Sequence, residues 1–181
     1  MLFEFSQAFY TILALVFVAV LIPSLVANFS LAYWSPTRRK DLPRVNRLAA
    51  LKPGQIFIDL GCGDGRVCHY IAAHNPDSRV IGVEISWALY LLAQARRLFF
   101  LHRNLTIRFG NAFKQDLSGA DVIYFYGLPE SIKQKLKPKI LAEAPTGSRI
   151  ISYSFEVKDW PGRHIERSSA PHSPTIFVYE R

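Results

Sequence analysis

Three glycines at alternate positions form the most informative pattern of the chain, D-L-G-C-G-D-G-R at residues 59–66. The pattern follows an apolar run at residues 56–58 and precedes a sequence that is compatible with a helix. Glycine allows a tight turn and a close approach to a ligand, and the helix N-terminus adds partial positive charge. Asp59 ends the strand at the edge where open α/β sheets bind ligands. The pattern therefore predicts a strand, a ligand-binding turn and a helix.

A second acidic residue, Glu84, ends the next apolar strand, about 20 residues after the glycines. A carboxylate at this place can hold both hydroxyls of a ribose. The dinucleotide fingerprint G-x-G-x-x-G requires a small residue where this chain has Arg66, so that motif does not match. The alternative interpretation of Asp59 and Glu84 is a pair of solvated acids that cap the following helices.

The glycine turn resembles motif I of the class I, S-adenosylmethionine-dependent methyltransferases. This resemblance implies S-adenosylmethionine as the cofactor, with its ribose hydroxyls held by Glu84. It also implies that a polar residue after the third strand, Asn111 followed by Ala112, meets the adenine edge, although an isolated Asn is usually an ordinary turn residue. The cofactor-binding residues predicted in this way are Asp59, Gly61, Cys62, Gly63, Asp64, Gly65, Glu84, Ile85, Asn111 and Ala112.

The two cysteines and five histidines do not indicate a metal site. Cys62 fills a position in the turn, and Cys68 lies outside the C-x-x-C spacing of metal and redox motifs. The histidines lack the i, i+4 or clustered spacing of metal ligands. We therefore predict no metal, and two free cysteines fit a reducing compartment.

The elements that position the turn alternate between apolar β-rich runs and helical patterns, which is typical of βαβ units around a parallel sheet. Strands are predicted near residues 55–60, 79–84, 106–109, 121–126 and 148–155, and helices at 66–75, 87–103 and 130–144, the last interrupted by Pro138. Two further strand-like segments, 164–169 and 175–180, leave no room for a helix between them. The order predicts an α/β, Rossmann-like methyltransferase sheet, mostly parallel, with an antiparallel last strand.

The N-terminus carries a long uncharged segment, because no charged residue lies between Glu4 and Arg38. Its apolar part, residues 9–26, is long enough to cross a hydrocarbon core of roughly 30 Å as a helix, and Tyr33 and Trp34 are suited to the interface. A cleaved signal peptide fits less well, because the first residues lack Lys and Arg. A buried helix of a soluble domain is the remaining alternative. We predict one transmembrane helix.

Basic residues crowd directly after this segment and set its orientation. Residues 38–52 contain six basic residues and a single acid, Asp41, so this segment supplies +5 of the net charge of +8. The basic residues are Arg38, Arg39, Lys40, Arg44, Arg47 and Lys52. Positive loops stay inside, so the prediction is a single-pass protein with its N-terminus outside and its catalytic domain in the cytoplasm, or in the equivalent compartment of an organelle. The cluster favours anionic lipid over nucleic acid as a partner, despite a pI near 9.7. The predicted organisation is an anchor at 1–36, a basic linker at 37–46 and a methyltransferase domain at 47–181.

The sequence at the end of the fourth predicted strand resembles that of a smaller group within these methyltransferases. It reads Y-F-Y-G-L-P at residues 124–129, where many nitrogen methyltransferases of this class carry N-P-P-Y. With the anchor, it resembles the small membrane-anchored protein-lysine methyltransferases that modify the mitochondrial ADP/ATP carrier and the ATP synthase c subunit. Cys62 and Ser86 depart from the Ser and the Asn-Pro of that family.

An aromatic tunnel would suit a lysine acceptor, because desolvation and the nearby sulfonium both disfavour the ammonium form. Tyr126 is the predicted catalytic residue of such a tunnel, with Pro129, Trp87 and Phe155 as further walls, and core packing is the alternative role of each. Three functions remain open. They are methylation of lysine in a membrane or membrane-adjacent protein, methylation of a lipophilic small molecule, and S-adenosylmethionine binding without catalysis. A soluble RNA methyltransferase is a weaker alternative, because the sequence contains no nucleic-acid module.

Overall fold

A computed structural model describes residues 7, 9–18, 35–162 and 164–181 of the chain. Residues 9–18 are helical, and their side chains are exposed. The other residues of the predicted anchor, with Tyr33 and Trp34, lie outside the described residues. Within the described ranges, no helix has the length and apolar character that a membrane crossing requires.

Seven strands form one sheet in the order β3-β2-β1-β4-β5-β7-β6. Strands β1 to β5 are parallel to one another, whereas β7 is antiparallel to both β5 and β6. The predicted Rossmann-like sheet and its terminal hairpin are therefore confirmed. The strands are β1 Ile56–Leu60, β2 Arg79–Glu84, β3 Leu105–Phe109, β4 Val122–Phe125, β5 Arg149–Tyr153, β6 His164–Ala170 and β7 Ser173–Glu180.

Helices cover both faces of the sheet, as crossovers between parallel strands require. They are α1 Leu42–Ala49, α2 Arg66–His74, α3 Trp87–Phe99, α4 Pro129–Ser131 and α5 Lys137–Glu143, with 3-10 turns at Arg39–Asp41 and Ala112–Lys114. A π-helical segment, Ile132–Leu136, joins α4 to α5, so the predicted interruption occurs just before Pro138. Pro138 itself lies in the first turn of α5, directly after the π-helical segment, and its missing N–H interrupts the helical hydrogen-bond pattern there.

Two apolar clusters hold these layers together. One packs α1, α2 and Ala93 of α3 against one face of the sheet. The other packs the π-helical segment and α5 against the opposite face. Side chains buried on both faces explain why β1, β2 and β4 are nearly continuous apolar runs.

Helix α1 begins inside the segment for which the sequence predicts a basic linker. Its apolar positions are buried in the core: Leu42, Val45, Leu48 and Ala49. Ala50, in the left-handed conformation, ends the helix. The folded domain therefore extends back at least to Leu42, and the basic cluster is partly a helix surface.

Helix α3 ends at Phe99, four residues earlier than the sequence predicts. The side-chain amide nitrogen of Asn104 lies 2.9–3.2 Å from three backbone carbonyl oxygens in the last turn of α2 and in the loop after it, and its two N–H groups are shared among them. Because these bonds fix the chain next to α2, residues 100–104 leave the helical path to reach them. A single long-range anchor of this kind leaves no periodic signal in the sequence.

Candidate active site

The glycine turn connects β1 to α2 with all three alternate glycines in the left-handed region, at φ 83°, 56° and 75° for Gly61, Gly63 and Gly65. The amides of Gly61 and Cys62 donate to the carbonyl of Val83 in the neighbouring strand, at 2.9 and 3.0 Å. A Cβ on Gly65 would lie 3.0 Å from the Cβ of Ala93 in α3. The turn thus requires glycine for its backbone and, at Gly65, for the close approach of α3.

Glu84 ends β2 directly beside this turn. Its Oε2 accepts a 2.8 Å hydrogen bond from the amide of Gly63, and its Oε1 accepts a 2.7 Å bond from the amide of Ser86. Burial raises the pKa of Glu84, although the backbone N–H groups of Ser86, Gly63 and Ile85 oppose the rise. These three N–H groups leave one of the four lone pairs of the carboxylate for a hydroxyl donor. The structure therefore brings Glu84 and the glycine turn into direct contact.

Asp59 lies within β1, under the turn, and only 2 % of its surface is exposed. Its carboxylate accepts a hydrogen bond from the thiol of Cys68 at 3.3 Å. Burial, and then the charges of Glu84 and Asp64, raise the pKa of Asp59 to about 7, although the Cys68 bond opposes this. A cation bound nearby would favour the ionised form.

Asp64 is also buried, but its carboxylate is neutralised inside the protein. Arg66 contacts it through Nε and Nη2, and Nη2 of Arg96 in α3 lies 2.9 Å from Oδ2. Burial alone would raise the pKa of Asp64, but the hydrogen bond from Arg66 and the charge of Arg96 lower it. The side chain thus organises the turn and α3, and Arg96 is a contributor that sequence reasoning missed.

Cys62 lies beneath the turn with its thiol buried, as a turn-filling residue would. Its sulfur and that of Cys68 both lie against Gly82, where a Cβ would meet them at 2.9 and 2.7 Å. In the part of the chain that the structure describes, no three His, Cys, Asp or Glu side chains form a group that could hold a metal ion.

The residues after β3 approach Glu84 from the other side. The amide of Gly110 donates to the carbonyl of Glu84 at 2.9 Å, which places Asn111 beside the end of β2. The side-chain oxygen of Asn111 accepts from the amide of Phe113 at 2.9 Å and caps the following 3-10 turn. Ala112 is buried, and Ile85 is half-buried. All the predicted cofactor-binding residues therefore lie along one continuous edge of the sheet.

Tyr126 follows β4, one step beyond the register pair of Leu60 and Phe125, and so lies beside the glycine turn. Its ring is 4.9 Å from the ring of Tyr153, edge to face, and 6.2 Å from that of Phe155. The structure thus forms an aromatic group of Tyr126, Tyr153 and Phe155 beside the glycine turn.

The predicted aromatic tunnel forms only in part. Trp87 packs with Tyr90 and Phe109, at 5.5 and 5.2 Å, beside Glu84 at the opposite end of the site. Pro129 is exposed at the start of α4. The strand order explains this, because β2, which precedes Trp87, is separated from β4 by β1.

A segment before α1, residues 35–41, contacts residues at the ends of β4 and β5, and we call it the strap. The strap contributes three contacts that sequence reasoning missed. The hydroxyl of Thr37 lies 2.6 Å from that of Tyr124, Ser35 donates to the hydroxyl of Tyr126 at 3.2 Å, and Tyr153 donates to Asp41 at 2.7 Å. In the sequence, the only indication of these contacts was Asp41, a single acid within a run of basic residues.

The charges of this edge define what it can bind. Asp59 and Glu84 form no ion pair among the described residues, whereas Asp64 has two arginine partners. Two uncompensated carboxylates, the accessible backbone at Gly61 and Gly63 and a remaining lone pair on Glu84 suit a cationic ligand that carries hydroxyl groups. S-adenosylmethionine, with a sulfonium, an ammonium and a ribose, meets this description.

Comparison with known proteins agrees with this chemistry. Residues 59–164 match the family described as the ANTKMT methyltransferase domain. A protein-lysine N-methyltransferase of Saccharolobus islandicus is 31 % identical over 147 residues, which cover 80 % of this chain and 90 % of the relative. The structure of an RNA methyltransferase from Salinibacter ruber in complex with S-adenosyl-L-homocysteine superposes with a TM-score of 0.71 at 27 % identity, and covers 81 % of this chain and 93 % of that one.

A SAM-dependent methyltransferase from Aquifex aeolicus superposes with a TM-score of 0.67 over 87 % of this chain and 97 % of that one, and at 13 % identity it supports the fold alone. The family match spans more than half of the chain, and the solved complex contains the product form of the cofactor that the glycine turn predicts. The chain therefore belongs to the ANTKMT methyltransferase domain family and is an S-adenosylmethionine-dependent methyltransferase.

Proposed function

We propose that this methyltransferase modifies the side-chain amine of lysine in a protein that is embedded in, or lies against, a membrane. The observation that carries the proposal is the acceptor-side aromatic group, in which Tyr126, Tyr153 and Phe155 stand beside the glycine turn. The similarity to a protein-lysine N-methyltransferase over most of both chains supports lysine as the acceptor. The ADP/ATP carrier and the ATP synthase c subunit illustrate the class of acceptor that we propose.

The cofactor side and the acceptor side of the proposed site have different roles in the reaction. When bound, the cofactor supplies an electrophilic methyl group for in-line transfer. We assign the amino-acid and ribose ends of the cofactor to the glycine turn, Asp59 and Glu84, and the adenine end to residues near Asn111. Because such a transfer requires little covalent help from the protein, positioning is the main task of these residues.

A lysine acceptor must first lose a proton. Because the ordinary pKa of lysine is about 10.4, formation of the neutral amine at pH 7 requires about 4.6 kcal/mol of free energy, at 1.36 kcal/mol per pH unit. An aromatic wall lowers this cost by withholding water from the ammonium form. Burial, and then the hydrogen bond to Asp41, raise the pKa of Tyr153, so its hydroxyl stays protonated and acts as a donor. We therefore assign Tyr126 and its neighbours the role of a desolvating wall.

We also propose that residues 1–36 anchor the protein in a membrane, with the N-terminus outside and the catalytic domain in the cytoplasm. The exposed apolar helix at residues 9–18 supports an anchor. Arg38, Arg39 and Lys40 are exposed and form no ion pair among the described residues, although Arg38 and Lys40 contact the backbone carbonyl of His172. Uncompensated cations next to an apolar segment suit an anionic cytoplasmic leaflet.

RNA is a second candidate acceptor, because the Salinibacter ruber protein with which this chain superposes is described as an RNA methyltransferase. The net charge of +8 is compatible with it. However, much of that charge lies in the basic cluster next to the proposed anchor. Lysine is favoured, because the protein-lysine relative has the higher identity, 31 % against 27 %.

One labelling experiment separates these acceptors. Membranes and total RNA from a strain lacking the gene are incubated with the purified full-length protein and S-adenosylmethionine that carries a labelled methyl group. Label on methyl-lysine, identified by mass spectrometry of the labelled protein band, is the expected result. Label in extracted lipid or in RNA would contradict the proposal. The Glu84→Gln variant, which we expect to bind the cofactor poorly, serves as the control for enzyme-dependent label.

A further inference from the structure

The outer surface of α3 is apolar, whereas the exposed side of a helix in a soluble domain is ordinarily polar. Exposed apolar side chains recur every three or four residues along it and continue into the following loop, where Leu101 is 85 % exposed. The only side chain of α3 that is fully buried is Ala93. We call this surface the α3 face, which consists of Leu91, Leu92, Leu98, Phe99, Phe100 and Leu101.

The segment of sequence that carries the α3 face has charged residues of a single sign. Residues 85–115 contain five Arg and Lys residues and no Asp or Glu. Arg96 is committed to Asp64, but Arg97 and Arg103 form no ion pair among the described residues. A large exposed apolar patch surrounded by cations is typical of helices that lie in the interface of an anionic bilayer.

A shallow groove of about 630 Å³ runs along this face. Its lining combines leucines with basic side chains: Leu91, Leu98 and Leu101, and Arg97, His102 and Arg103. This pairing of apolar and cationic side chains matches the acyl chain and the phosphate of a phospholipid.

The α3 face adjoins the cofactor end of the site. Trp87, the first residue of α3, is 49 % exposed and lies three residues after Glu84. It contacts Phe109, which is 53 % exposed and is the register partner of Glu84 in β3. These aromatic side chains extend the apolar surface to the rim of the site, and Trp is a residue that favours membrane interfaces.

We propose that the α3 face docks the catalytic domain onto the surface of an anionic bilayer, with its apolar side chains in the headgroup region and Arg97 and Arg103 against lipid phosphates. This contact is additional to the anchor and does not depend on which molecule accepts the methyl group. A second copy of the chain is a poorer occupant, because a symmetric contact would bring like charges together. The helix at residues 9–18 is also poorer, since it contains no acid to neutralise the arginines.

The test measures where this surface lies when the full-length protein is reconstituted in vesicles. A nitroxide is attached through Leu98→Cys, and the buried thiols of Cys62 and Cys68 leave the new cysteine as the accessible one. Ala142→Cys, exposed in α5 against the opposite face of the sheet, is the matched control. Collision of each label with oxygen, which partitions into lipid, and with a water-soluble nickel complex reports its depth.

In vesicles of phosphatidylcholine and phosphatidylglycerol, we expect a severalfold higher ratio of oxygen to nickel collisions at position 98 than at 142. Arg97→Gln with Arg103→Gln should lower the ratio at 98 and weaken its dependence on anionic lipid. Equal, water-like ratios at both positions would overturn the proposal. Protection of position 98 from both reagents, in detergent as in vesicles, would assign the face to a protein contact and would also overturn it. None of these readings depends on methyl transfer, so they stand apart from the test of the acceptor.

Discussion

The hydroxyl of Tyr153 donates a 2.7 Å hydrogen bond to the carboxylate of Asp41, which is 1 % exposed. This bond joins the strap to the last residue of β5, and the Tyr153 ring in turn packs against Tyr126. Arg44 completes the arrangement with a 2.8 Å ion pair to the same carboxylate. The segment that leads from the proposed anchor is therefore fastened to the acceptor side of the site.

Asp41→Ala should destabilise the folded domain by about 1–3 kcal/mol, because the buried Tyr153 hydroxyl and the part-buried Arg44 lose their shared acceptor. Urea unfolding followed by circular dichroism measures the change in the free energy of unfolding. Glu156→Ala, on an exposed loop residue, is the control and should change it by less than about 0.5 kcal/mol. An effect of Asp41→Ala no larger than that of Glu156→Ala would contradict the role assigned to this bond.

The same carboxylate should contribute to acid unfolding. Burial alone would raise the pKa of Asp41, but hydrogen bonds from Tyr153, Arg44 and Ser173 lower it overall. A folded pKa below the unfolded value of about 3.9 gives stabilisation that is present above that pH and is lost as the pH falls through the folded pKa. Asp41→Asn should therefore flatten the acid limb of the stability profile.

Asp59 should make cofactor affinity depend on pH. Its pKa of about 7 arises mainly from burial, and the bound cation requires the ionised form. Affinity measured by calorimetry should therefore rise about tenfold between pH 6 and pH 8, as the ionised fraction rises from roughly one tenth to nine tenths. Asp59→Asn should bind about 1.5–3 kcal/mol more weakly at pH 8 and lose this pH dependence.

Without cofactor, the sign of the Asp59 effect reverses. A carboxyl whose folded pKa is raised favours the folded state at low pH, and this contribution is lost as the pH rises through about 7. Asp59→Asn removes the buried charge, so the apo protein should melt at a higher temperature at pH 8 than the unsubstituted protein. A variant that both melts lower and binds normally would remove Asp59 from the cofactor site.

The sheet and the cofactor edge were predictable because their signals are local. The glycines of the turn, the acids that end β1 and β2, and the apolar runs between them all lie within short windows of sequence. Parallel strands buried on both faces read as continuous apolar segments, so the five parallel strands were located to within about two residues at each end, as were the two strands of the terminal hairpin.

What the sequence did not predict depends on contacts between distant residues. Helix α1 lies in a basic segment, and its narrow apolar stripe was hidden by the charged residues around it. The strap meets Tyr124, Tyr126 and Tyr153 across roughly 90 to 110 positions of the chain, and no periodicity reports such pairings. Trp87 and Tyr126 were expected to line the same aromatic tunnel. The order of the strands in the sheet separates them, and that order cannot be read from the positions of the strands along the sequence.

Gly82 in β2 provides a prediction about packing under the turn. A Cβ there would lie 2.7 Å from the sulfur of Cys68 and 2.9 Å from that of Cys62. Gly82→Ala should therefore cost about 1–3 kcal/mol of stability and also weaken cofactor binding, because Cys62 belongs to the turn. Gly119→Ala is the matched control, since its Cβ would meet only Ile56 at 3.8 Å. Equal stability of the two variants would show that the space beneath the turn adapts freely.

If lysine is the acceptor, turnover should depend on the protonation of the bound amine. At saturating cofactor, the turnover rate should rise with pH between about 7 and 9, by up to tenfold per unit while deprotonation limits the reaction. At saturating cofactor, the effect of Asp59 on cofactor affinity no longer changes the rate. The slope of turnover against pH therefore reports the protonation of the acceptor amine. A rate that is flat over this range, with chemistry shown to be limiting by a single-turnover measurement, would contradict a protonated lysine as the resting form of the substrate.

Substitutions of Tyr126 distinguish a wall from a polar catalyst. Tyr126→Ala removes the ring that packs on Tyr153 and Phe155, and we expect a loss of turnover with cofactor affinity within about 0.5 kcal/mol of the unsubstituted protein. Tyr126→Phe removes only the hydroxyl that accepts from Ser35, so turnover should persist if the ring desolvates the amine. Loss of turnover in both variants would instead assign a positioning role to the hydroxyl. Full turnover of Tyr126→Ala on a confirmed substrate would place Tyr126 in the core, because a wall that can be removed without effect excludes no water from the amine.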